Sequence, residues 1–168
     1  KPYKVSSKQT SSTPPSPKLA EVVGASVGNI APDFTLFNFD GKPYNLSSLR
    51  EKVVVLYFWA LWSGENPNRS MRQIQAFDEL NKEYKNQGLE VIGISTDERD
   101  AEIVKSYADT YEIGFPILIG NDTVIQLYQI KNMPAIFLID KNGRIQKTYT
   151  GYKPKFTYEL DIKSALAK

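Results

Sequence analysis

The chain has no cysteine and no histidine among its 168 residues. Without cysteine it forms no disulfide, thiolate nucleophile, zinc–thiolate site or iron–sulfur cluster. Without histidine it lacks the usual general base near neutral pH and the commonest transition-metal ligand. Long apolar runs are missing too: no stretch approaches the ~20 residues that cross a bilayer as a helix, and none reads as the apolar core of a signal peptide. Acidic residues are absent from one place in particular. Lys1 to Ala20 holds four Lys, four Pro and five Ser and neither Asp nor Glu.

What is present fits one soluble globular domain. Hydrophobic residues make up 41% and charged residues 24%, close to globular averages, which excludes wholesale disorder, a collagen-like chain and a heptad rod. The formal charge of +2 is unevenly spread: four of the 21 basic groups and none of the 19 acidic groups fall in the first 20 residues, so the rest of the chain carries −2. A pI of about 8.6 therefore gives no support to a nucleic-acid face. Residues 1–27 read as a flexible, basic, Ser/Pro-rich tail and 28–168 as the folded domain. The tail is either an inert terminus or the stalk of a membrane tether left by a removed signal or lipid anchor.

Within the domain, Phe34 and Leu36 alternate with polar neighbours, and Asp40-Gly41 precedes a second short run through Tyr44, a pattern that predicts a β-hairpin. The alternation slips between Leu36 and Phe37, which predicts a bulge or strand end there. Val53 to Trp59 is an unbroken β-branched and aromatic run, the mark of a central strand buried on both faces. Ile74, Phe77, Leu80 and Tyr84 recur at helical spacing, with Gly88 placed as a C-terminal cap. Leu89 to Ile94 is a further strand. Ile103, Val104, Tyr107 and Tyr111 mark a helix entered through the carboxylates of Asp97 to Asp100. A short strand over Phe115 to Ile119 and a short helix over Val124 to Tyr128 follow. Ala135 to Ile139 and Ile145 to Tyr149 flank the turn Asp140-Lys141-Asn142-Gly143, and Tyr158, Ile162, Ala165 and Leu166 form the stripe of a last helix. The fold class is α/β, with a mixed sheet covered by helices on both faces.

Several of these segments together resemble a known family. VVVLYFWALW at Val53 to Trp62, LEVIGIST ending at Thr96, FPILIG at Phe115 to Gly120 and MPAIFLIDKNGRI at Met133 to Ile145 are similar, in this order and spacing, to the TlpA/ResA-like thioredoxin family, an extracytoplasmic branch near the AhpC/TSA peroxiredoxins. The resemblance spans roughly Gly28 to Gly151 and implies a thioredoxin-like fold with an N-terminal hairpin. It also implies thiol-disulfide oxidoreductase chemistry in the periplasm or cell envelope.

That chemistry is what the chain cannot perform. The family carries Cys-x-x-Cys after the strand-end Trp, whereas Trp62 is followed here by Ser63, Gly64, Glu65 and Asn66. One alignment sets Ser63 and Asn66 at the thiol positions. Another sets Glu65-Asn66-Pro67-Asn68 on the Glu-x-Pro stretch that follows the second cysteine. Neither supplies sulfur, and a serine hydroxyl without a neighbouring base does not replace a thiolate. The resemblance further implies that Trp62 is a partly exposed partner contact and that Met133-Pro134 is the family's cis-proline pair, whose backbone meets an extended peptide. The alternative reading makes Trp59 and Trp62 core residues, and it fits Trp59 better than Trp62. Glu65 is either a relic of the carboxylate that tunes the cysteines or a first-turn acid, worth ~0.3–1 kcal/mol at any helix start.

The other clusters carry little chemistry. Asp97, Glu98 and Asp100 lack the spacing of a calcium loop, so no metal is expected. Lys147, Lys153 and Lys155 lie near Tyr149, Tyr152 and Tyr158, a mixture that solvated lysines on an edge strand explain, so no nucleic acid is expected. No cofactor is expected. The binding residues are then Trp62, Gly64, Glu65, Met133 and Pro134, with a protein or extended peptide segment as partner. Two functions remain open: a redox-inactive relative that binds such a segment, or an oxidoreductase, in cytochrome c maturation for example, whose active-site cysteine has been substituted.

Overall fold

The computed structural model describes residues 2, 21–60, 67–96 and 101–168. Among the described residues seven strands and four α-helices follow one another: β1 (Thr35–Asn38), β2 (Pro43–Asn45), β3 (Val53–Trp59), α1 (Pro67–Tyr84), β4 (Leu89–Ser95), α2 (Ala101–Thr110), β5 (Ile117–Ile119), α3 (Asp122–Leu127), β6 (Ala135–Ile139), β7 (Ile145–Thr150) and α4 (Lys155–Leu166). They form one sheet in the order β2-β1-β5-β4-β3-β6-β7. The pairs β3–β4 and β4–β5 are parallel, and the remaining pairs are antiparallel. The expected mixed α/β sheet is therefore present.

All seven residues of β3 are buried, because the strand lies between β4 and β6 with layers on both faces. Val53, Val55, Tyr57 and Trp59 pack with Ile74, Phe77, Leu80 and Tyr84 of α1, Val104 of α2, and Tyr158 and Ile162 of α4. Val54, Leu56 and Phe58 face the other way, onto Phe34, Leu36, Val124, Tyr128 and Phe137. Each such large side chain contributes about 1.5–3 kcal/mol by leaving water.

The termini of the elements follow their residues. Pro67 opens α1, where a missing N–H costs nothing. A 3-10 turn over Lys85–Gln87 ends at Gly88, whose φ of 100° is the left-handed cap expected there. Asn121 caps α3 by accepting from the Val124 N–H at 2.9 Å. In the β6–β7 turn Asp140 accepts from Asn142 N and Arg144 N, each at 2.9 Å.

Three expectations need correction. The β1–β2 register runs without a bulge from Thr35↔Asn45 to Phe37↔Pro43. Phe37 simply points outward and is 51% exposed, which is why the alternation slips. The register irregularity lies instead between Leu138 and Ile139, against β7. Ile103 and Tyr111 are exposed rather than part of the α2 stripe; of that set Val104 alone is buried, and Tyr111 follows the last turn of the helix.

The segment before β1 also makes backbone contacts. Val23 bridges to Ile30 and Ile30 to Arg144. Gly28 N donates to Ile145 O at 2.8 Å, and Ile145 N donates to Asn29 O at 2.9 Å. This stretch therefore runs along the start of β7.

Candidate functional site

The carboxyl ends of the parallel strands β3 and β4 are where an open α/β sheet most often binds its ligand. Here Trp59 O accepts from Thr96 N at 3.0 Å, so the exits of the two strands are tied together. The Thr96 hydroxyl reaches the Met133 sulfur at 3.2 Å. The Met133-Pro134 bond is cis, as the resemblance implied. Because Ala135 pairs with Phe58, the cis pair lies at the same end of the sheet as Trp59 and Thr96. Met133 is half-buried and Pro134 is buried.

The start of α1 and the turn after β7 complete this end. Pro134 O accepts from Gly151 N at 2.9 Å, where β7 gives way to the turn. Ser70 Oγ and Tyr152 Oη are 2.9 Å apart and join α1 to that turn. The Tyr107 hydroxyl meets the Met71 sulfur at 2.8 Å and joins α1 to α2. Beneath them Gln73, 2% exposed, accepts through Oε1 from Lys153 N at 3.0 Å and from the Tyr158 hydroxyl at 2.9 Å. Gln73 Nε2 has no partner among the described residues.

The sequence-based residues fall into two sets. Met133 and Pro134 are placed together with Thr96, Trp59 and Gly151. Trp62, Ser63, Gly64, Glu65 and Asn66 lie outside the described residues, as do Asp97, Glu98 and Asp100. Residues 61–66 join the end of β3 to the start of α1, so the chain enters and leaves that stretch at this site. Trp59 is a core residue, 2% exposed, stacked on Tyr57 and packed against Tyr107.

Thr96, Gln73 and Ser70 were not among the sequence candidates, and Tyr152 was noted only beside the solvated lysines. A signal for two of them existed: Ser70 and Gln73 occupy the apolar stripe of α1 one turn before Ile74 and Phe77, and a polar residue there needs a partner.

The acid–base inventory is small. Burial raises the phenols of Tyr57 and Tyr107, so both stay protonated through the neutral range. Thr96, Ser70, Gln73, Met71 and Met133 carry no group that ionises there. Among the described residues no cluster of three or more candidate ligands is arranged to hold a metal ion. No described helix is long and apolar enough to cross a membrane. Among the described residues the arrangement offers peptide groups, hydroxyls, thioethers and a buried amide.

Comparison with known proteins agrees with this architecture. The chain is 34% identical over 145 residues to the thiol-disulfide oxidoreductase ResA of Geobacillus kaustophilus, covering 86% of this chain and 80% of that protein. It superposes with a TM-score of 0.75 on the crystal structure of a candidate thiol:disulfide interchange protein DsbE from Chlorobium tepidum, at 30% identity, covering 85% and 99% of the two chains. It also superposes, with a TM-score of 0.66 and 26% identity, on the pneumococcal exposed lipoprotein thioredoxin of Streptococcus pneumoniae strain TIGR4, covering 79% and 99%. The fold is thioredoxin-like, and relatives are thiol-disulfide oxidoreductases, whereas this chain has no cysteine. The family model of AhpC/TSA matches residues 27–148, and the chain belongs to the AhpC/TSA family.

Proposed function

We propose that this protein is a redox-inactive thioredoxin-like binding protein of the cell envelope. It holds an extended segment of a partner protein between the Trp62 to Asn66 stretch, Gly64 and Glu65 included, and Met133-Pro134. The observation that carries the reading is the absence of any thiol from a chain that keeps the scaffold of thiol-disulfide oxidoreductases. Thiol exchange begins with a thiolate, and Ser63 cannot provide one. The gathering of Thr96, Met133-Pro134 and Gly151 at the strand ends supports peptide contact, since an extended chain is recognised largely through backbone pairing. The exposed-lipoprotein relative supports an envelope location, with residues 1–27 as the tether.

Two measurements test this. Protein primed with dithiothreitol is expected to reduce no insulin disulfide and to consume no peroxide above blank; turnover by the pure chain overturns the redox-inactive reading. A partner-binding titration beside thermal melts is expected to show Trp62→Ala weakening the complex by about 2 kcal/mol or more with an unchanged melt, as for an exposed aromatic hot spot. Undiminished affinity removes the groove, and a collapsed melt returns Trp62 to the core.

The names of the relatives favour one second reading: a thiol-disulfide oxidoreductase in which a catalytic cysteine has been substituted. The native gene at positions 63 and 66 separates the two, because a cysteine codon at either restores the enzyme reading.

A further inference from the structure

The cleft between the first half of α1 and the turn joining β7 to α4 is cationic. Its volume is about 760 Å³, and its charged walls are Arg69, Arg72, Lys153 and Lys155 against one carboxylate, Glu79. Lys155 is already paired, at 3.4 Å from Glu79 and 3.2 Å from Glu83. Arg69, Arg72 and Lys153 are exposed and have no carboxylate within ion-pair distance among the described residues. Three cations with no ion-pair partner among the described residues thus share one concavity in a body whose charge beyond residue 20 is −2. Gathering like charges is unfavourable, and a concave wall concentrates their field on whatever enters. At the floor Gln73 Nε2 adds donor hydrogens with no acceptor among the described residues.

The cleft is continuous with the site above. Gly151 lines it and also donates to Pro134 O. The cleft between Arg72 and Lys153 therefore adjoins Met133-Pro134 through Gly151. Glu79 is itself in the lining and Lys155 is held by Glu79 and Glu83, so the basic track is short. A polynucleotide, with a charge at every residue, needs a longer one.

We propose that this cleft receives the Asp or Glu side chains of the partner's extended segment, so that the protein selects acidic peptides. The proposal rests on the reading of the groove as a peptide site, and adds the partner's chemistry.

The test uses the full chain and three labelled probes read by fluorescence anisotropy: an Asp- and Glu-rich dodecapeptide, the same peptide with Asn and Gln in their place, and dodecathymidylate. The acidic peptide is expected to bind about tenfold more tightly than its neutral counterpart, with the ratio shrinking in high salt because the cations are exposed. In Arg69→Glu/Arg72→Glu/Lys153→Glu the ratio is expected to fall to about one, with an unchanged melt. If that variant melts early, Arg72→Ala/Lys153→Gln serves, with the same fall expected. A ratio near one in the unaltered protein, or a ratio that survives these substitutions, overturns the proposal, as does dodecathymidylate binding as tightly as the acidic peptide. Trp62→Ala is expected to weaken both peptides equally and leave the ratio intact. If it weakens neither, the groove reading falls while the charge preference of the cleft is still read from the ratio.

Discussion

Gln73 sits on α1 where the stripe of that helix calls for an apolar side chain, and it is buried like one. One oxygen accepts from both Lys153 N and the Tyr158 hydroxyl, so a single side chain fixes the turn after β7 to the helix that starts at the site. Gln73→Met keeps the volume and removes the acceptor. It takes that acceptor from the part-buried Lys153 N–H and from the buried Tyr158 phenol, and a buried group left unsatisfied costs about 1–3 kcal/mol. Urea unfolding is expected to show a loss of about 1–3 kcal/mol, the lower figure applying where removal of the unpaired Nε2 offsets part of the cost. An unchanged midpoint would mean that Ser70–Tyr152 and Gly151–Pro134 suffice to hold the turn. Gln73 was hard to read in the sequence because a single Gln in a helix is ordinary, and only its register with Ile74 and Phe77 marks it as buried.

At the scale of the element, α1 is the part of the fold on which thiol chemistry would be rebuilt. Asn66 directly precedes Pro67, the first residue of that helix, and a helix N-terminus favours an anion beside it. Ser63→Cys combined with Asn66→Cys is expected to give one thiol ionising below the usual ~8.5 and a disulfide on mild oxidation. Absorbance titration at 240 nm checks the first and mass spectrometry the second. Two unshifted thiols that never pair would favour the alignment in which Glu65-Asn66-Pro67-Asn68 follows the thiol positions.

The same scale shows what was legible. β3, β4, β6 and β7 were readable because continuous or alternating apolar runs admit few other structures. α1 and α4 were readable because their core residues recur at helical spacing. Phe37, Ile103 and Tyr111 misled for a common reason: a large apolar side chain at a plausible register is not obliged to be buried, and all three are exposed. The cis Met133-Pro134 pair was legible through family resemblance rather than through its own residues. Thr96 was not legible, and of the basic cleft only Lys153, Lys155 and Tyr152 stood out, because Arg69 and Arg72 join them only when the β7–α4 turn is set opposite α1.

At the scale of the whole molecule, tyrosine sets the alkaline limit. Burial pushes the phenols of Tyr57, Tyr128, Tyr149 and Tyr158 above their ordinary value, and a hydrogen bond to Glu159 pushes Tyr84 up to about 12. A group whose folded pKa exceeds its unfolded value stabilises the fold fully below the unfolded pKa, here ~10, and loses that contribution as pH rises through the folded value. Stability is therefore expected to hold up to about pH 10 and to fall steeply toward pH 12. Absorbance at 295 nm should show these phenols ionising only as far-ultraviolet circular dichroism is lost. Ionisation of all ten tyrosines near pH 10 with the fold intact would contradict this.

The two borders of the sheet bear on how a second chain can approach. Open strand borders invite pairing with any extended peptide, and folded proteins keep such borders short or covered. On one side β2 is only three residues long and begins with Pro43, which has no N–H to give. On the other, Gly28 to Ile30 already occupy the start of β7, and Lys147 lies exposed farther along. Side-by-side addition of a foreign strand, and the self-association that follows from it, is thus discouraged on both flanks. On the proposed reading an extended segment approaches end-on instead, where Thr96, Pro134 and Gly151 converge, and the guarded borders leave that end as its entrance.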